Sequence, residues 1–154
     1  MSLLRAAFGL VLLAAVAVPA YADPETQRRL AERVFLEKMG QGRFDRLDEI
    51  YAPGFRAHTP DGDVTLEEDN ASGREWRRAI PDLQVAVVRT VAEGDLVAVH
   101  WTAAGTNSVA AAGLPGSGKR MSIDGMTVFR FTDGRIAEEW SVIDIARMMQ
   151  QLGG

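Results

Sequence analysis

Two histidines are the side chains best suited to acid–base chemistry near neutral pH. His58 precedes Thr59-Pro60, where we expect the rim of a pocket, and His100 lies within an apolar strand beside Trp101. Burial and a carboxylate neighbour can move the pKa of an imidazole across neutral pH, so either ring could donate or accept a proton. The ordinary alternatives are an exposed loop histidine at position 58 and a hydrogen-bonded core histidine at position 100.

Three carboxylates on predicted strands are the candidate bases. Asp124 interrupts the apolar strand 121–131, where a carboxylate is costly to bury unless it is paired or protonated. Proton abstraction from carbon needs a partly desolvated base of this kind. Glu138 and Glu139 are adjacent in the next strand, so they point to opposite faces and one of them can enter a cavity. The alternative for Asp124 is a carboxylate near a strand end that stays hydrated.

The hairpin between these two strands decides which carboxylates share a face. A three-residue loop pairs Phe131 with Arg135, which places Asp124 on the face of Glu138 and leaves Glu139 on the other. A two-residue loop joins Asp124 to Glu139 instead, because a slip of one residue reverses every side chain. The turn chemistry favours the three-residue loop, and this weakens the case for an Asp124–Glu139 pair.

Further residues are candidates for the wall of a ligand pocket. Trp101 and Trp140 could offer an aromatic surface to a flat ligand, although core packing is the commoner role of such side chains. Three other residues complete the candidate pocket: Met126, Glu138 and Asn107.

The sequence lacks the motifs of several other chemistries. Neither histidine has a carboxylate at metal-ligand spacing, so we expect no metal site. The chain has no Gly-rich phosphate loop, no nucleophile elbow and no cysteine, so we expect no cofactor and exclude thiol chemistry. A net charge of −4 without basic clusters argues against nucleic acid or an anionic membrane as a partner.

Residues 1–22 have the pattern of a cleaved signal peptide. One basic residue precedes the apolar run 6–18, and Pro19-Ala20-Tyr21-Ala22 follows with the small residues that signal peptidase requires. A retained membrane anchor is the competing interpretation, but the apolar run is shorter than the roughly 20 residues of a spanning helix. We therefore expect an exported protein, periplasmic or secreted, with a mature domain of residues 23–154 and no membrane contact after cleavage.

The mature chain changes from a helical period to a strand period near Pro81. Apolar spacing predicts helices over 25–39, 43–51 and 65–80, whereas 55–58 is expected to lead into a loop. Alternation then predicts strands over 83–91, 96–105, 120–131 and 135–143, and Asp144 is expected to cap a short final helix. The order predicts an α+β domain in which three N-terminal helices pack in a curved antiparallel sheet.

The last third of the chain resembles a known family. It is similar to the SnoaL-like (ester cyclase) branch of the NTF2-like superfamily in a series of short blocks: Gly105-Thr106-Asn107, Gly118-Lys119, Asp133-Gly134-Arg135-Ile136, Glu138-Glu139-Trp140, Asp144 and Gln151-Leu152-Gly153. Asn107 is a departure, because many relatives have histidine at that point of the pattern.

The resemblance implies a cone-shaped domain with an apolar pocket, and a homodimer formed through the sheet, whose strands are apolar on both faces. Characterised cyclases of the family close a ring in a polyketide ester by intramolecular aldol condensation, without a metal or an organic cofactor. A pocket carboxylate, helped by a histidine, moves the proton. The expected catalytic residues are therefore Asp124, His100, His58 and Glu139, acting on a small apolar or aromatic molecule.

Three functional hypotheses remain open at this point. The first is a small-molecule enzyme that uses acid–base chemistry, and the second is a non-catalytic carrier or sensor of an apolar molecule. The third is a dimerising module whose pocket is filled by its own side chains. A carboxylate and a histidine within hydrogen-bond reach inside the cavity would favour the enzyme, and a cavity lined only by apolar side chains would favour the carrier.

Overall fold

The computed structural model describes residues 23–153, in which three α-helices and two short 3-10 turns pack with a curved, six-stranded sheet. The predicted signal peptide lies outside these residues, so export stays a prediction. No helix in the described part of the chain is both long and apolar enough to cross a membrane. The α+β prediction is confirmed.

The α-helices begin and end where the sequence places their caps. They are α1 (Pro24–Arg33), α2 (Leu66–Ala79) and α3 (Ile145–Leu152). Asp23 and Asp144 each accept a hydrogen bond from the backbone of the first turn that follows them. Thr65 and Glu68 form the predicted capping box at the start of α2.

The helix expected over 25–39 changes its geometry after Arg33. Val34–Met39 is π-helical, a wider turn that is frequent at functional sites. This turn brings Val34, Phe35 and Lys38 into the interior together. The helix expected over 43–51 is reduced to two short 3-10 turns, Phe44–Arg46 and Asp48–Ile50.

The main sheet has the strand order β2-β1-β8-β7-β4-β3. Its strands are β1 (Tyr51–Thr59), β2 (Gly62–Val64), β3 (Gln84–Glu93), β4 (Leu96–Thr106), β7 (Arg120–Thr132) and β8 (Arg135–Ile143), and a small hairpin of β5 (Ala110–Ala111) and β6 (Leu114–Pro115) lies beside it. Neighbouring strands are antiparallel except β1 and β8, which are parallel.

Residues 55–58, which were expected to lead into a loop, form the second half of β1, and the turn into β2 follows them. The strand begins earlier than expected, before Pro53 and Gly54, although both residues usually interrupt a ladder. The structure accommodates them in an irregularity between Tyr51 and Arg56, where Gly54 has a φ of 79°. Regular pairing resumes at Arg56, which lies opposite Glu138.

The hairpin between β7 and β8 has a two-residue loop, so the expected three-residue loop is wrong. Asp133 and Gly134 have φ values of 50° and 76°, which is the pattern of a type I′ turn. The register then shifts by one residue at Ala137, since Phe131 pairs with Ile136 but Arg130 pairs with Glu138. Because of this bulge, Glu138 shares a face with Asp124, as the three-residue loop also predicted. Glu138 points outward and Glu139 points inward.

The two faces of the sheet differ in what covers them. The inner face packs against the helices, and Phe35 stacks on Trp101 with ring centroids 5.3 Å apart. The outer face leaves Val91, Met126 and Val142 exposed, and Val142 is 75% exposed. An apolar outer face is compatible with the expected homodimer, which stays a prediction.

We expect Thr65→Ala to destabilise the domain by about 1 kcal/mol, because the first turn of α2 loses the hydroxyl that accepts from the backbone of Glu68. Urea denaturation followed by circular dichroism measures the change in the free energy of unfolding. Thr65→Ser is the matched control, because it retains the hydroxyl and should stay within a few tenths of a kcal/mol of wild type. Equal losses in the two variants would contradict the role of the cap.

Candidate active site

A cavity of about 370 Å³ lies between the inner face of the sheet and the segments Val34–Met39 and α2. Its walls are mainly apolar and aromatic: Val34, Phe35, Trp76, Trp101, Ile123 and Ile143. Polar side chains also line it: Lys38, Asp69, Thr127, Glu139 and Ser141. The exposed Glu68 and three further polar residues, His58, Thr59 and Ser72, border it as well. An apolar pocket with a few convergent polar groups is the usual form of a small-molecule site.

Lys38 is the buried cation of this cavity. Lys38 is 2% exposed. Its Nζ donates to the carboxylate of Asp69 and, at 3.1 Å, to the hydroxyl of Tyr51. A buried ammonium needs such partners because the loss of hydration is otherwise not offset. Burial raises the pKa of Tyr51 well above its usual value, and the negative charges of Glu139 and Asp69 raise it further, so the tyrosine stays a neutral phenol.

Glu139 is the titratable group of the cavity. The pKa of its carboxyl is raised from 4.5 to about 7, chiefly by burial and secondly by the negative charge of Asp69. The positive charge of Lys38 and a hydrogen bond from Ser141 oppose this change. The side chain therefore exchanges its proton close to neutral pH, which is the property required of a general base.

A chain of hydrogen bonds connects Glu139 to the sheet. Ser141 Oγ donates to Glu139 Oε1 at 3.1 Å, and Ser141 Oγ lies 2.7 Å from Thr127 Oγ1. Trp101 Nε1 donates to Thr127 Oγ1 at 3.1 Å. These side chains share the inner face, because Thr127 lies opposite Ser141 in the β7–β8 ladder and Glu139 precedes Ser141 by two positions.

Gly125 provides the space for the Trp101 indole. A Cβ atom built on Gly125 would lie 2.1 Å from the indole ring, far inside van der Waals contact. Trp101 lies opposite Gly125 in the β4–β7 ladder, so the indole covers the glycine and reaches Thr127. Glycine is therefore required here by the close approach of a side chain.

Three of the residues predicted from sequence lie together on the outer face of the sheet. His100 Nε2 is 3.4 Å from Asp124 Oδ1, and the Asp124 side chain is largely exposed. Met126 is also exposed and lies opposite His100 in the ladder. The structure brings His100 and Asp124 together as a pair, but outside the cavity.

His58 lies at the boundary between the two faces. Its residue borders the cavity, but its ring stacks on Trp140 at 4.6 Å, and its nitrogens lie 2.7 Å from Asp63 and 3.2 Å from Glu138. The pKa of His58 is raised, chiefly by the hydrogen bond with Asp63. Because Glu138 and Trp140 alternate with Glu139 along β8, these contacts belong to the outer face.

Asn107 organises a loop and does not line the cavity. Its Oδ1 accepts from the backbone of Gly116 and Ser117, and its Nδ2 donates to the carbonyls of Ala79 and Val109. The side chain is fully buried, and these four contacts satisfy it.

Of the predicted residues, Glu139 and Trp101 place their side chains in the cavity wall, and His58 borders the cavity. Sequence reasoning missed Lys38, Asp69 and Ser141. Lys38 did carry a signal, since a lysine on the apolar stripe with Phe35 must be paired if that stripe is buried. Ser141 could have been found two positions after Glu139. In the described range 23–153, no three histidine or carboxylate side chains are gathered in a form that would hold a metal ion.

Comparison with known proteins gives a consistent result. A sequence model of the SnoaL-like polyketide cyclases matches residues 29–152. No curated protein matches the chain significantly.

Solved structures with the same fold come from several bacteria. TsrD from Streptomyces laurentii is 27% identical, with a TM-score of 0.78 over 86% of this chain and 98% of TsrD. IdmH from Streptomyces antibioticus is 26% identical, with a TM-score of 0.72 over 83% of this chain and 99% of IdmH. A SnoaL-like protein from Jannaschia sp. CCS1, at 24% identity, has a TM-score of 0.76 over 85% of this chain and 94% of its own.

We expect Gly125→Ala to displace the Trp101 indole and to destabilise the fold by about 1–3 kcal/mol, because the new methyl group overpacks the inner face. Thermal unfolding measures the loss, and tryptophan fluorescence reports the displaced ring. Asp124→Ala, at the preceding position on the outer face, is the control and should change stability by less than about 0.5 kcal/mol. A stable Gly125→Ala variant with wild-type fluorescence would contradict this packing.

The raised pKa of Glu139 predicts that stability falls as pH rises. Because the pKa is about 7 in the folded state and 4.5 ordinarily, the folded protein binds more protons between these values. The contribution is complete below about pH 4 and is lost as pH rises through 7. Relative to Glu139→Gln, wild type should lose up to about 3 kcal/mol of unfolding free energy between pH 5 and 8.

Urea denaturation at a series of pH values tests this expectation. Glu93→Gln, which changes a surface carboxylate at the end of β3, is the control and should follow the wild-type curve. If the free energy of unfolding changed with pH equally in wild type and Glu139→Gln, the pKa of Glu139 would not be raised in the folded protein.

Proposed function

This chain belongs to the SnoaL-like polyketide cyclase family, and we propose that it catalyses cofactor-free proton transfer at a carbon atom of a small organic molecule. Family membership supports a role in binding or cyclising a small molecule. The observation that carries the proposal is the juxtaposition, in one apolar cavity, of the titratable Glu139 with the buried cation Lys38.

Glu139 is the base of the proposed reaction. A carboxylate with a pKa of about 7 is ionised in half of the molecules near neutral pH and is a stronger base than an exposed glutamate. The apolar walls keep it poorly hydrated, which is the environment that proton abstraction next to a carbonyl requires. The carboxylate takes the α-proton, and the electron pair of the broken C–H bond passes to the carbonyl oxygen as an enolate.

Lys38 is the electrophilic partner of that oxygen. An ammonium has three donors, and two of them are used by Asp69 and Tyr51. The third has no acceptor among residues 23–153, so it is available to a carbonyl oxygen that becomes negative in the transition state. Net charge in the cavity is unchanged during the step, because Glu139 becomes neutral as the enolate forms beside Lys38.

Ring closure completes the proposed reaction. The enolate carbon attacks a second carbonyl of the same molecule, which forms the new C–C bond and an alkoxide. Glu139 then returns its proton to the alkoxide, so the protein ends in its starting state and needs no external oxidant or reductant. The apolar walls would hold the two reacting ends in proximity.

The alternative is a carrier that binds an apolar molecule without turnover. The aromatic walls formed by Phe35, Trp76 and Trp101 favour this function equally. Two carboxylates and a lysine inside the cavity favour the enzyme, since a carrier of an apolar molecule gains nothing from burying ionisable groups.

We expect wild-type protein to catalyse exchange of the α-protons of 2-tetralone in D₂O, a flat ketone used here as a probe, with a rate that rises with pH to a plateau above about 7. Proton NMR measures the exchange. Glu139→Gln should reduce the rate by about 10²- to 10⁴-fold, because the base is lost. Lys38→Met should also reduce it, because the developing enolate loses its cation.

Asp124→Asn and His100→Gln are the matched controls, since both residues lie on the outer face, and each should retain the wild-type rate. Undiminished exchange in Glu139→Gln would refute the assignment of the base. Tight binding of 2-tetralone by wild type without any exchange would favour the carrier.

A further inference from the structure

We propose that Trp101, Thr127 and Ser141 are positioning residues of Glu139, which form a one-way chain of hydrogen bonds that keeps Oε1 as an acceptor and leaves Oε2 to take up and release the proton. The proposal rests on the proposed function of Glu139 as a base. It goes further by assigning the two carboxyl oxygens different tasks and by naming the side chains that separate them.

The direction of the chain is fixed at both ends. The indole of Trp101 can only donate, so Thr127 Oγ1 accepts at its end of the chain. An ionised Glu139 can only accept, so Ser141 donates to Oε1. Because a hydroxyl has a single proton, Ser141 must then accept from Thr127 across their 2.7 Å contact. Every proton of the chain points towards Glu139.

Protonation at Oε1 would reverse one link of the chain. Glu139 would then donate to Ser141 instead of accepting from it, so the Ser141 hydroxyl, which is exposed, would have to turn its proton from Oε1 towards solvent. Protonation at Oε2 needs no such change, because Ser141 still donates to Oε1 and Thr127 still donates to Ser141. A proton on Oε2 leaves every hydrogen bond of the chain in place.

Protonation therefore occurs at Oε2. This oxygen has no hydrogen-bond partner within residues 23–153, whereas Oε1 accepts from Ser141 in both ionisation states. A base whose two oxygens are distinguished in this way presents one atom to the substrate in a fixed orientation.

The far end of the chain is rigid. Trp101 stacks on Phe35 with an interplanar angle of 25°, and its indole lies against Gly125, where no Cβ would fit. The indole cannot turn away from Thr127 without clashing or losing this packing. The fixed position of the Trp101 indole therefore restricts the orientation of the Glu139 carboxyl group through the hydroxyls of Thr127 and Ser141.

NMR titration of the Trp101 indole N–H tests the chain directly. We expect this resonance to show an inflection near pH 7 in wild type, because ionisation of Glu139 polarises the hydroxyls that connect them. The inflection should disappear in Glu139→Gln and in Thr127→Val, and Thr127→Ser, which keeps the hydroxyl, should restore it. Trp101→Phe assigns the resonance.

The carboxyl carbon of Glu139 gives a second readout. In Ser141→Ala, the loss of the donor should shift the titration of Glu139 upward by about one pH unit, because the hydrogen bond stabilises the ionised carboxylate more than the protonated form. Trp101→Phe retains the stacked ring and should shift the titration upward by a smaller amount. Thr102→Val, on the outer face of β4, is the matched control and should leave both readouts unchanged.

Two results would overturn the proposal: an indole resonance without an inflection in wild type, or a Glu139 titration in Ser141→Ala equal to that of wild type. If Thr127→Val does not fold, the Glu139 titrations in Ser141→Ala and Trp101→Phe still test the proposal. The NMR titrations and the ketone-exchange experiment can fail independently. Undiminished ketone exchange in Glu139→Gln would refute Glu139 as the base, but it would not contradict the hydrogen-bond chain.

Discussion

The burial of Lys38 with two carboxylates in one apolar cavity is the constraint on which the rest of the structure depends. One cation can fully offset one of the two negative charges, and its direct contact is with Asp69. Glu139 is therefore left without a full counter-charge and holds its proton up to a pKa of about 7. The shortage of positive charge therefore allows Glu139 to exchange its proton near neutral pH.

Three local features of the chain bring these groups together. The π-helical turn at Val34–Met39 directs Lys38 into the interior, and the capping box starts α2 so that Asp69 meets Lys38 in the cavity wall. The bulge at Ala137 sets the register of β8, and with it the inward direction of Glu139. Together these features place three ionisable groups in one cavity: Lys38, Asp69 and Glu139.

The site differs from the carboxylate–histidine arrangement that the family resemblance implies. His100 lies on the outer face with Asp124, and His58 borders the cavity while its ring stacks on Trp140 of the outer face. A lysine occupies the cavity instead. A lysine supplies a permanent positive charge and donors to an oxyanion, whereas a histidine of ordinary pKa would be largely neutral at the pH where Glu139 becomes a base.

The sequence by itself determined the three α-helices and the four long strands of this protein, because local signals produce them: helix caps at Asp23, Thr65 and Asp144, and alternating patterns in the strands. It also placed Glu139 and Trp101 among the candidates for the site. Only the tertiary structure decided which faces meet. The inward direction of Glu139 depends on a bulge that no local pattern marks. The sequence also did not show that β1 begins before Pro53 and Gly54, because its pairing with β8 accommodates them in an irregularity. Lys38 and Asp69 pair although they are 31 residues apart in the chain. Such a contact depends on how helices and strands pack, and the apolar periodicity of each segment does not predict it.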